Sequence, residues 1–473
     1  MARSVEALDD LYVDDEAFRD AISTVDEKGK RIWVYPKKPS GIYHNWRRAV
    51  SLLLLAFLFL APVIKVNGNQ FLMLNIFERK FSIFGQIFWP QDFYLFVLAM
   101  IVLVVFIILF TVAYGRLFCG WICPQTIFME FVFRKIEYWI EGDYTAQKKL
   151  DKQPWNREKV LKKSAKHLIF LGISFLIMHT FISYLIGFDE MVKLVQTSPA
   201  ENLGGFVAMI GFTGAFYGVF SRLREQVCTT ICPYGRLQGV LLDRNSMVVA
   251  YDHKRGEERG KIRKNVAREG LGDCIDCKQC VVVCPTGIDI RNGTQLECIN
   301  CTACIDACDT IMDKVGFDRG LIRYASESTI ADGKAWQFTP RLKAYSAVLT
   351  LLAGALITLL VIRSDIDATI LRTPGMLYQE PEPDKISNLY NYKVVNKTTE
   401  EIQYDFRIEG EEGKIQVVGE LLPVPGQEFR EGAMFVVFDR DRIKKMSTKF
   451  KIHVYSGERK LETIKTTFLG PAN

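Results

Sequence analysis

Eight of the twelve cysteines in this 473-residue chain lie in two runs with the spacing C-x2-C-x2-C-x3-C. The runs are Cys274, Cys277, Cys280 and Cys284, and then Cys298, Cys301, Cys304 and Cys308. Thiolates at this spacing hold [4Fe-4S] clusters, and in two-cluster ferredoxins the fourth cysteine of a run binds the other cluster. The sequence therefore predicts an electron carrier with one cluster on Cys274, Cys277, Cys280 and Cys308, and a second on Cys284, Cys298, Cys301 and Cys304.

Other uses of cysteine fit this spacing poorly. Disulfide scaffolds are typical of short secreted chains, and structural zinc favours four ligands in two separated C-x2-C pairs. One departure from the ferredoxin pattern is that Asp309 follows Cys308, whereas Pro285 follows Cys284. Aspartate in place of proline removes no ligand, and we expect it to alter the packing around the Cys274 cluster or the reduction potential of that cluster.

The remaining four cysteines form two C-x3-C-P motifs, at residues 119–124 and 228–233, each near a Gly-Arg pair. An i, i+4 spacing places two sulfurs on one face of a helix, and thiolates bind soft ions such as Cu(I). Brought together, the motifs would form a four-sulfur site for copper, another iron-sulfur cluster or a reversible dithiol. Its members would be Cys119, Cys123, Cys228 and Cys232. Inert packing of buried cysteines is the alternative.

Five apolar runs are long enough to cross a bilayer, which takes about 20 residues. They are residues 49–66, 93–114, 167–188, 203–220 and 344–362. Residues 117–140 are also apolar but are interrupted by Arg134, Lys135 and Glu137, so we expect a shorter helix at the membrane interface; a sixth span is the alternative. His179 falls inside the third span and is a weaker candidate for a haem or copper ligand, since a lone histidine there is more often a packing residue.

Lysine and arginine are concentrated before residue 49, between residues 140 and 167, and after residue 220. The positive-inside rule then predicts a cytoplasmic N-terminus and cytoplasmic cysteine runs, in a multi-pass protein of a bacterial inner membrane. With five spans, the tail from residue 364 is periplasmic, and it contains no cysteine. The polar first 46 residues show no cleavable signal sequence. These topology signals account for the net charge of +6, which therefore gives no reason to expect a nucleic-acid partner.

The tail alternates apolar and polar residues in short segments separated by glycine and proline, as in an all-β sandwich of immunoglobulin-like size. The predicted fold is thus multi-domain: an α-helical polytopic membrane domain, a 2[4Fe-4S] ferredoxin-like domain and a C-terminal β-sandwich. The expected boundaries are an N-terminal arm at 1–48, a membrane domain at 49–222, the ferredoxin-type domain at 223–341, a final span at 342–363 and the sandwich at 364–473.

This order of features resembles the CcoG/FixG/RdxA family of cytochrome oxidase accessory proteins over nearly the whole chain. Residues 115–126 look like the family's first motif, 228–235 like its second, and 391–398 like part of its C-terminal domain. The membrane ferredoxins of nitrate and nitrous-oxide respiration share the cysteine motifs but look different in lacking such a tail.

The resemblance implies a cupric reductase that supports copper delivery and assembly of a cbb3-type oxidase. Cys119, Cys123, Cys228 and Cys232 would then face copper, two [4Fe-4S] clusters would receive electrons from an unknown cytoplasmic donor, and the partners would be copper chaperones and oxidase assembly factors. Two alternatives stay open at this point: an electron conduit to a quinone or partner complex, and a non-enzymatic assembly factor.

Overall fold

The computed structural model describes residues 24–25, 28–77, 80–262, 269–410, 413–443 and 445–471. The first 23 residues of the predicted N-terminal arm lie outside this range. The chain divides into two compact units, one made of residues up to Val63 with Met100–Ala353, and one made of Ile64–Ala99 with Gly354–Asn473. Each unit is described by itself below.

Four helices in the described ranges are long and apolar enough to cross a membrane: Phe93–Tyr114, Arg157–Ile186, Leu203–Leu223 and Pro340–Val361. They correspond to four of the five predicted runs. Most of their apolar surface is not buried within the chain, as expected for helices whose solvent is lipid.

The first predicted run differs in extent. It forms the helix Ile42–Leu60, which begins before residue 49 and ends before Pro62 rather than at residue 66. Its first turns contain His44, Asn45, Arg47 and Arg48, and these polar residues lower the mean hydropathy of the helix. For this reason the helix is not among the four.

The apolar segment 117–140 is broken rather than a single helix. Short helices cover Leu117–Trp121, Pro124–Ile127 and Arg134–Ile140, and a π-helix covers Phe128–Phe133. The ring of Phe133 packs on Phe170 and Phe220, with ring centroids 4.7 and 4.4 Å apart. This aromatic cluster fixes the broken segment against two of the long helices.

The cysteine-rich segment is built from short elements around a small core. Strands Val248–Tyr251 and Ile322–Ala325 pair antiparallel. The helices here are Pro233–Leu241, His253–Gly256, Gln279–Val282, Ala303–Val315 and Glu327–Asp332. Two further helices of this unit are Tyr144–Lys152 and Phe188–Gln196, and shorter π and 3-10 turns cover Val227–Ile231 and Ile290–Asn292. Several cysteine side chains belong to the core itself, in line with a small fold held by its cofactors.

The tail is all-β, as predicted. One sheet has the order Gly413–Val417, Phe429–Asp439, Lys385–Asn396, Ile366–Arg372, with Gln379–Glu382 also paired to Lys385–Asn396. The other has the order Asp405–Ile408, Ser447–Ser456, Arg459–Leu469. Alternate residues of both sheets, among them Tyr390, Met434, Ile452 and Phe468, form the buried core between them.

The connection after the first helix belongs to the same unit as the tail, a feature that the predicted boundaries did not include. It forms the strands Lys65–Val66, Asn69–Gln70, Leu72–Asn75, Lys80–Ile83 and Gln86–Phe88. Asp92, almost fully buried, accepts hydrogen bonds from Arg363 at 2.7 Å and from Lys397 at 2.8 Å. This ion cluster ties the connection to the β-sandwich.

Candidate iron-sulfur and thiol site

Two cavities in the first unit collect the eight ferredoxin-type cysteines. One is lined by Cys274, Cys277, Cys280 and Cys308, together with Arg291 and Met312. The other is lined by Cys284, Cys298, Cys301 and Cys304, and Cys280 also reaches it. The structure thus brings the cysteines together in the two groups that the spacing predicts, with the fourth cysteine of each run exchanged. Their role as ligands stays a prediction.

Equivalent loops in the two runs have the same unusual backbone. Asp276 and Lys278 flank Cys277, Asn300 and Thr302 flank Cys301, and all four have φ between 51° and 62°. Residues other than glycine rarely adopt this left-handed region, and for the β-branched Thr302 it is a strained conformation. Such strain is kept where the surroundings demand it, commonly at functional sites. The repeated conformation curls each loop around its cavity.

The two C-x3-C-P motifs share a geometry that differs from the single helix face predicted above. Cys119 lies in the helix Leu117–Trp121, whereas Cys123 is the N-cap of the next helix, which begins at Pro124. Cys228 lies in the π-helix Val227–Ile231, and Cys232 caps the helix that begins at Pro233. Proline disfavours a helical conformation for the residue before it and is well placed at the first helical position. Each motif is therefore a break between two helices with one sulfur on either side.

The structure brings the two motifs together. Arg116, just before the first motif, donates a hydrogen bond to the main-chain oxygen of Gly235, just after the second. The Cys119 thiol donates to Oε1 of the buried Gln238 at 3.1 Å. Cys228 interacts electrostatically with the other three motif sulfurs, and burial raises the pKa of Cys119 and of Cys228 to about 12. These four motif thiols, the thiol cluster, therefore lie near one another, and Cys119 and Cys228 are protonated at neutral pH.

This thiol cluster packs directly on the second cavity's loop. Cys119 and Cys228 contact the core formed by Val283, Ile299 and Cys301. Trp121 donates its indole N–H to the Tyr324 hydroxyl at 3.1 Å, and that hydroxyl donates to the main-chain oxygen of Asn300 at 3.3 Å. The first motif is thus held against the residues between Cys298 and Cys301.

Family models match three parts of the chain. A 4Fe-4S dicluster domain matches residues 223–327, a 4Fe-4S binding domain matches 96–143, and the IG-like fold at the C-terminal of FixG matches 356–471. The chain is 34% identical over 422 residues to the nitrogen fixation protein FixG of Rhizobium meliloti, covering 80% of each chain. The chain belongs to the FixG/RdxA family.

Two further members of the family are also similar. Both come from Cereibacter sphaeroides: protein RdxB is 35% identical, over 81% of this chain and 83% of its own, and protein RdxA is 32% identical, over 80% and 83%. Together with the four apolar helices, these matches describe a membrane-embedded iron-sulfur protein that transfers electrons.

The residues around the two cavities fit the [4Fe-4S] clusters that the FixG/RdxA family models imply. Each cavity is lined by the four cysteines of its predicted set, which come from two loops, and the curled backbones hold those loops around it. Within the described ranges, no group of three or more His, Cys, Asp or Glu side chains is placed to hold a single metal ion. His179 is satisfied by contacts with the Phe175 main-chain oxygen at 2.7 Å and the Met209 sulfur at 3.2 Å.

Three buried arginines at this FixG/RdxA-type site were not singled out from the sequence. Arg47 donates to the Gly120 main-chain oxygen at 3.0 Å, Arg116 donates to the Leu296 main-chain oxygen, and Arg134 donates to the Pro285 main-chain oxygen at 3.0 Å. The Gly-Arg pair before Cys119 was the only sequence signal, and it pointed to Arg116 alone.

Proposed function

We propose that this protein is a membrane-bound cupric reductase that converts Cu(II) to Cu(I) for copper delivery to a cbb3-type cytochrome c oxidase. Copper is the substrate in this proposal, and Cys119, Cys123, Cys228 and Cys232 are its proposed ligands. Their sulfurs would move closer together on binding the ion, because no three of the described His, Cys, Asp or Glu side chains are already placed to hold one. The observation that carries the proposal is the packing of Cys119 and Cys228 against Ile299 and Cys301. It places soft sulfur donors beside the cavity of the second iron-sulfur site.

The cysteine sets have different tasks. Cys274, Cys277, Cys280 and Cys308 would hold one [4Fe-4S] cluster, and Cys284, Cys298, Cys301 and Cys304 the other. When bound, these clusters supply one-electron transfer, which matches the single electron that separates Cu(II) from Cu(I). The motif sulfurs favour the reduced product because thiolates are soft ligands that select Cu(I).

Proton release is part of copper binding at this site. Cys119 and Cys228 are protonated when no metal ion is bound, because burial raises the pKa of each thiol to about 12. A metal ion binds the thiolate and displaces its proton. Gln238 accepts the hydrogen bond from Cys119 and holds that sulfur in place without adding charge to the site.

The proposed placement has the N-terminus and the cysteine-rich segment in the cytoplasm and the β-sandwich in the periplasm of a bacterial inner membrane. The support is the lysine and arginine distribution and the absence of cysteine from the tail sequence. Under this arrangement a cytoplasmic donor supplies electrons, and the periplasmic domain is available to oxidase assembly factors and copper chaperones.

The reductase activity is tested with purified full-length protein under anaerobic conditions. The protein is given a reductant of the kind found in the cytoplasm and Cu(II), and the rate of Cu(I) formation is measured with a Cu(I)-specific chelator. Serine at all four motif positions should lower the rate of Cu(I) formation at least about tenfold while iron and sulfide content is kept. Thr230→Ala, an exposed change inside the second motif, is the matched control and should keep the wild-type rate. A quadruple variant with the wild-type rate would move copper reduction away from these cysteines.

A second candidate function is an electron conduit to a quinone or a partner complex. It is favoured by the match of a 4Fe-4S binding domain to residues 96–143, a region whose only cysteines are Cys119 and Cys123. In that case the motif cysteines carry electrons onward, and a quinone analogue, but not Cu(II), reoxidises the reduced protein.

Truncation after Ser364 distinguishes a non-enzymatic assembly factor from a copper reductase. If the protein acts only as an assembly factor, removal of the tail abolishes oxidase assembly in cells while copper reduction by the purified protein survives. If reduction is the function, serine at the four motif positions lowers the level of assembled oxidase even though the tail is intact.

A further inference from the structure

Among the described residues, two buried arginines beside the thiol cluster form no salt bridge, although the charge of Glu297 acts on Arg116. Arg47 is 2% exposed and Arg116 is 4% exposed. In the part of the chain that the structure describes, neither guanidinium has a carboxylate within salt-bridge distance, and Nη2 of Arg47 and Nε of Arg116 make no hydrogen bond. An uncompensated buried cation is costly, so the fold must supply negative charge for this pair from another source.

The neighbouring buried arginines show the contrast. Arg134 forms ion pairs with Glu130 at 2.6 Å and Glu225 at 3.4 Å, and Arg224 forms a bidentate pair with Glu137. The charges of these two arginines are neutralised locally. Arg47 and Arg116 are different because their hydrogen bonds go only to main-chain oxygens.

Both arginines lie beside the loop that carries Cys298 and Cys301. Arg116 bridges the main-chain oxygens of Leu296, two residues before Cys298, and of Gly235 beside the second motif. Arg47 donates to Gly120, a residue that lies against the main chain of Ile299 and Asn300. Arg116 interacts electrostatically with Cys298, and Arg47 interacts electrostatically with Cys301. The sulfurs that line the second cavity are the set that both arginines reach; Arg116 also acts on Cys119, Cys232 and Glu297.

The first cavity has no such excess of positive charge. The arginine that lines it, Arg291, is paired with Asp276 at 2.6 Å and with Asp289 through several hydrogen bonds. Lys278 also lines this cavity, so two cations face two carboxylates there. The two cavities are similar in their sulfurs, but among the described residues only the second lies beside buried arginines that form no salt bridge.

We propose that Arg47 and Arg116 are the counter-cations of the cluster held by Cys284, Cys298, Cys301 and Cys304, and that they raise its reduction potential above that of the other cluster. Reduction adds one negative charge to a cluster, and a nearby cation stabilises that charge, most strongly where burial lowers the local dielectric. Net charge and hydrogen bonding around the sulfurs are established determinants of cluster potential.

The consequence is a direction for electron flow. Electrons that enter the protein come to rest on the cluster beside Cys119 and Cys228 rather than on the cluster with the exposed Cys277. This direction rests on the proposed function, whereas the two potentials do not, because they are measured without copper. A failure of copper reduction therefore leaves the potentials to be judged separately.

The experiment is an anaerobic redox titration of full-length protein followed by EPR. Cys298→Ser and Cys277→Ser identify which signal belongs to which cluster. At the potential that half-reduces the Cys298 cluster in the wild type, R47Q and R116Q should each lower its ratio of reduced to oxidised form at least threefold, with a smaller change at the Cys274 cluster. Arg236→Gln is the matched control, because it removes the same charge from the exposed Gly-Arg pair of the second motif and should change neither cluster.

Three results would overturn the proposal: a wild-type Cys298 cluster that titrates below the other, an unchanged ratio in both variants that keep their iron, or an equal change in R236Q. If the glutamine variants lose the cluster, R47K and R116K distinguish a role of the positive charge from a role of the hydrogen bonds. Lysine keeps the charge but not the planar fork of donors, so the proposal requires these variants to retain the cluster and its potential. Loss of the cluster in the lysine variants as well would show that the guanidiniums act as structural hydrogen-bond donors and not as counter-cations.

Discussion

The α-carbon of Gly120 lies so close to Ile299 that a β-carbon at position 120 would come within 2.4 Å of the Ile299 main-chain oxygen. The first C-x3-C-P motif and the loop between Cys298 and Cys301 are therefore in direct main-chain contact. This contact joins the proposed copper-binding cysteines to the second iron-sulfur site, and it depends on a residue without a side chain.

Replacing Gly120 should separate the motif from the loop. In Gly120→Ala the new methyl group meets main-chain atoms of Ile299 and Asn300 that cannot rotate away, so we expect a lower melting temperature and at least about a tenfold lower rate of copper reduction. Gly172→Ala is the matched control, since no atom lies within 4 Å of the new β-carbon and alanine favours a helix by about 1 kcal/mol. Wild-type activity in Gly120→Ala would contradict the role given to this contact.

The hydrogen bond between Trp121 and Tyr324 should contribute to the same junction. Trp121→Phe and Tyr324→Phe each remove one partner of a 3.1 Å bond, at a cost of about 1 kcal/mol in the free energy of unfolding. The double variant should cost less than the sum, because residues in one network couple. Trp139→Phe, at an exposed position, provides the control, and strictly additive losses would mean that the two side chains act independently.

The exchange of fourth cysteines can be checked directly by EPR. Cys308→Ser should perturb the same signal as Cys277→Ser, because both residues line the first cavity. Cys284→Ser should perturb the other signal, together with Cys301→Ser, because both line the second. If Cys284→Ser instead altered the signal affected by Cys277→Ser, each run would bind its own cluster and the grouping would be wrong.

The buried carboxylate Asp92 should make the stability of the second unit depend on pH. Burial acts to raise its pKa, but the hydrogen bonds and charges of Lys397 and Arg363 outweigh this and hold the pKa below the ordinary value. A depressed carboxyl pKa stabilises the folded state above the unfolded pKa, about 3.9, and that contribution is lost as the pH falls through the folded value.

The matched measurement is the melting temperature of wild type and Asp92→Asn across pH. At neutral pH the variant removes the carboxylate that Arg363 and Lys397 share, and within the described ranges only Lys397 keeps another, Asp367 at 3.3 Å, so the loss should be about 3–5 kcal/mol. The two melting temperatures should converge as the pH is lowered below about 3.9. A constant difference down to the lowest pH at which the protein folds would show that Asp92 contributes through shape rather than charge.

The parts of the structure that the sequence predicted are those governed by local pattern. Cysteine spacing fixes which sulfurs a loop can bring together, and the period of two in the tail marks strands because alternate side chains face a core. The C-x3-C-P geometry was missed because an i, i+4 spacing describes an unbroken helix. The prolines after Cys123 and Cys232 are what divide it.

Long-range contacts were beyond local pattern. Nothing near Arg47 in the sequence indicates that its side chain meets Gly120, and nothing near Asp92 indicates that it pairs with Lys397. The first apolar run was overextended because hydropathy alone does not register that the helix ends before Pro62. Contacts of this kind depend on the whole fold, so the counter-cations of the second cavity become visible only in the structure.

A single-turnover experiment tests whether electrons stored in the clusters reduce Cu(II). Fully reduced protein, freed of excess reductant under anaerobic conditions, is mixed with Cu(II), and Cu(I) is counted with a chelator while EPR follows the clusters. We predict about two Cu(I) per protein, one for each electron stored in two one-electron clusters. The EPR signals of the reduced clusters should disappear at the same rate as Cu(I) forms. Clusters that stay reduced in the presence of Cu(II) would contradict this prediction.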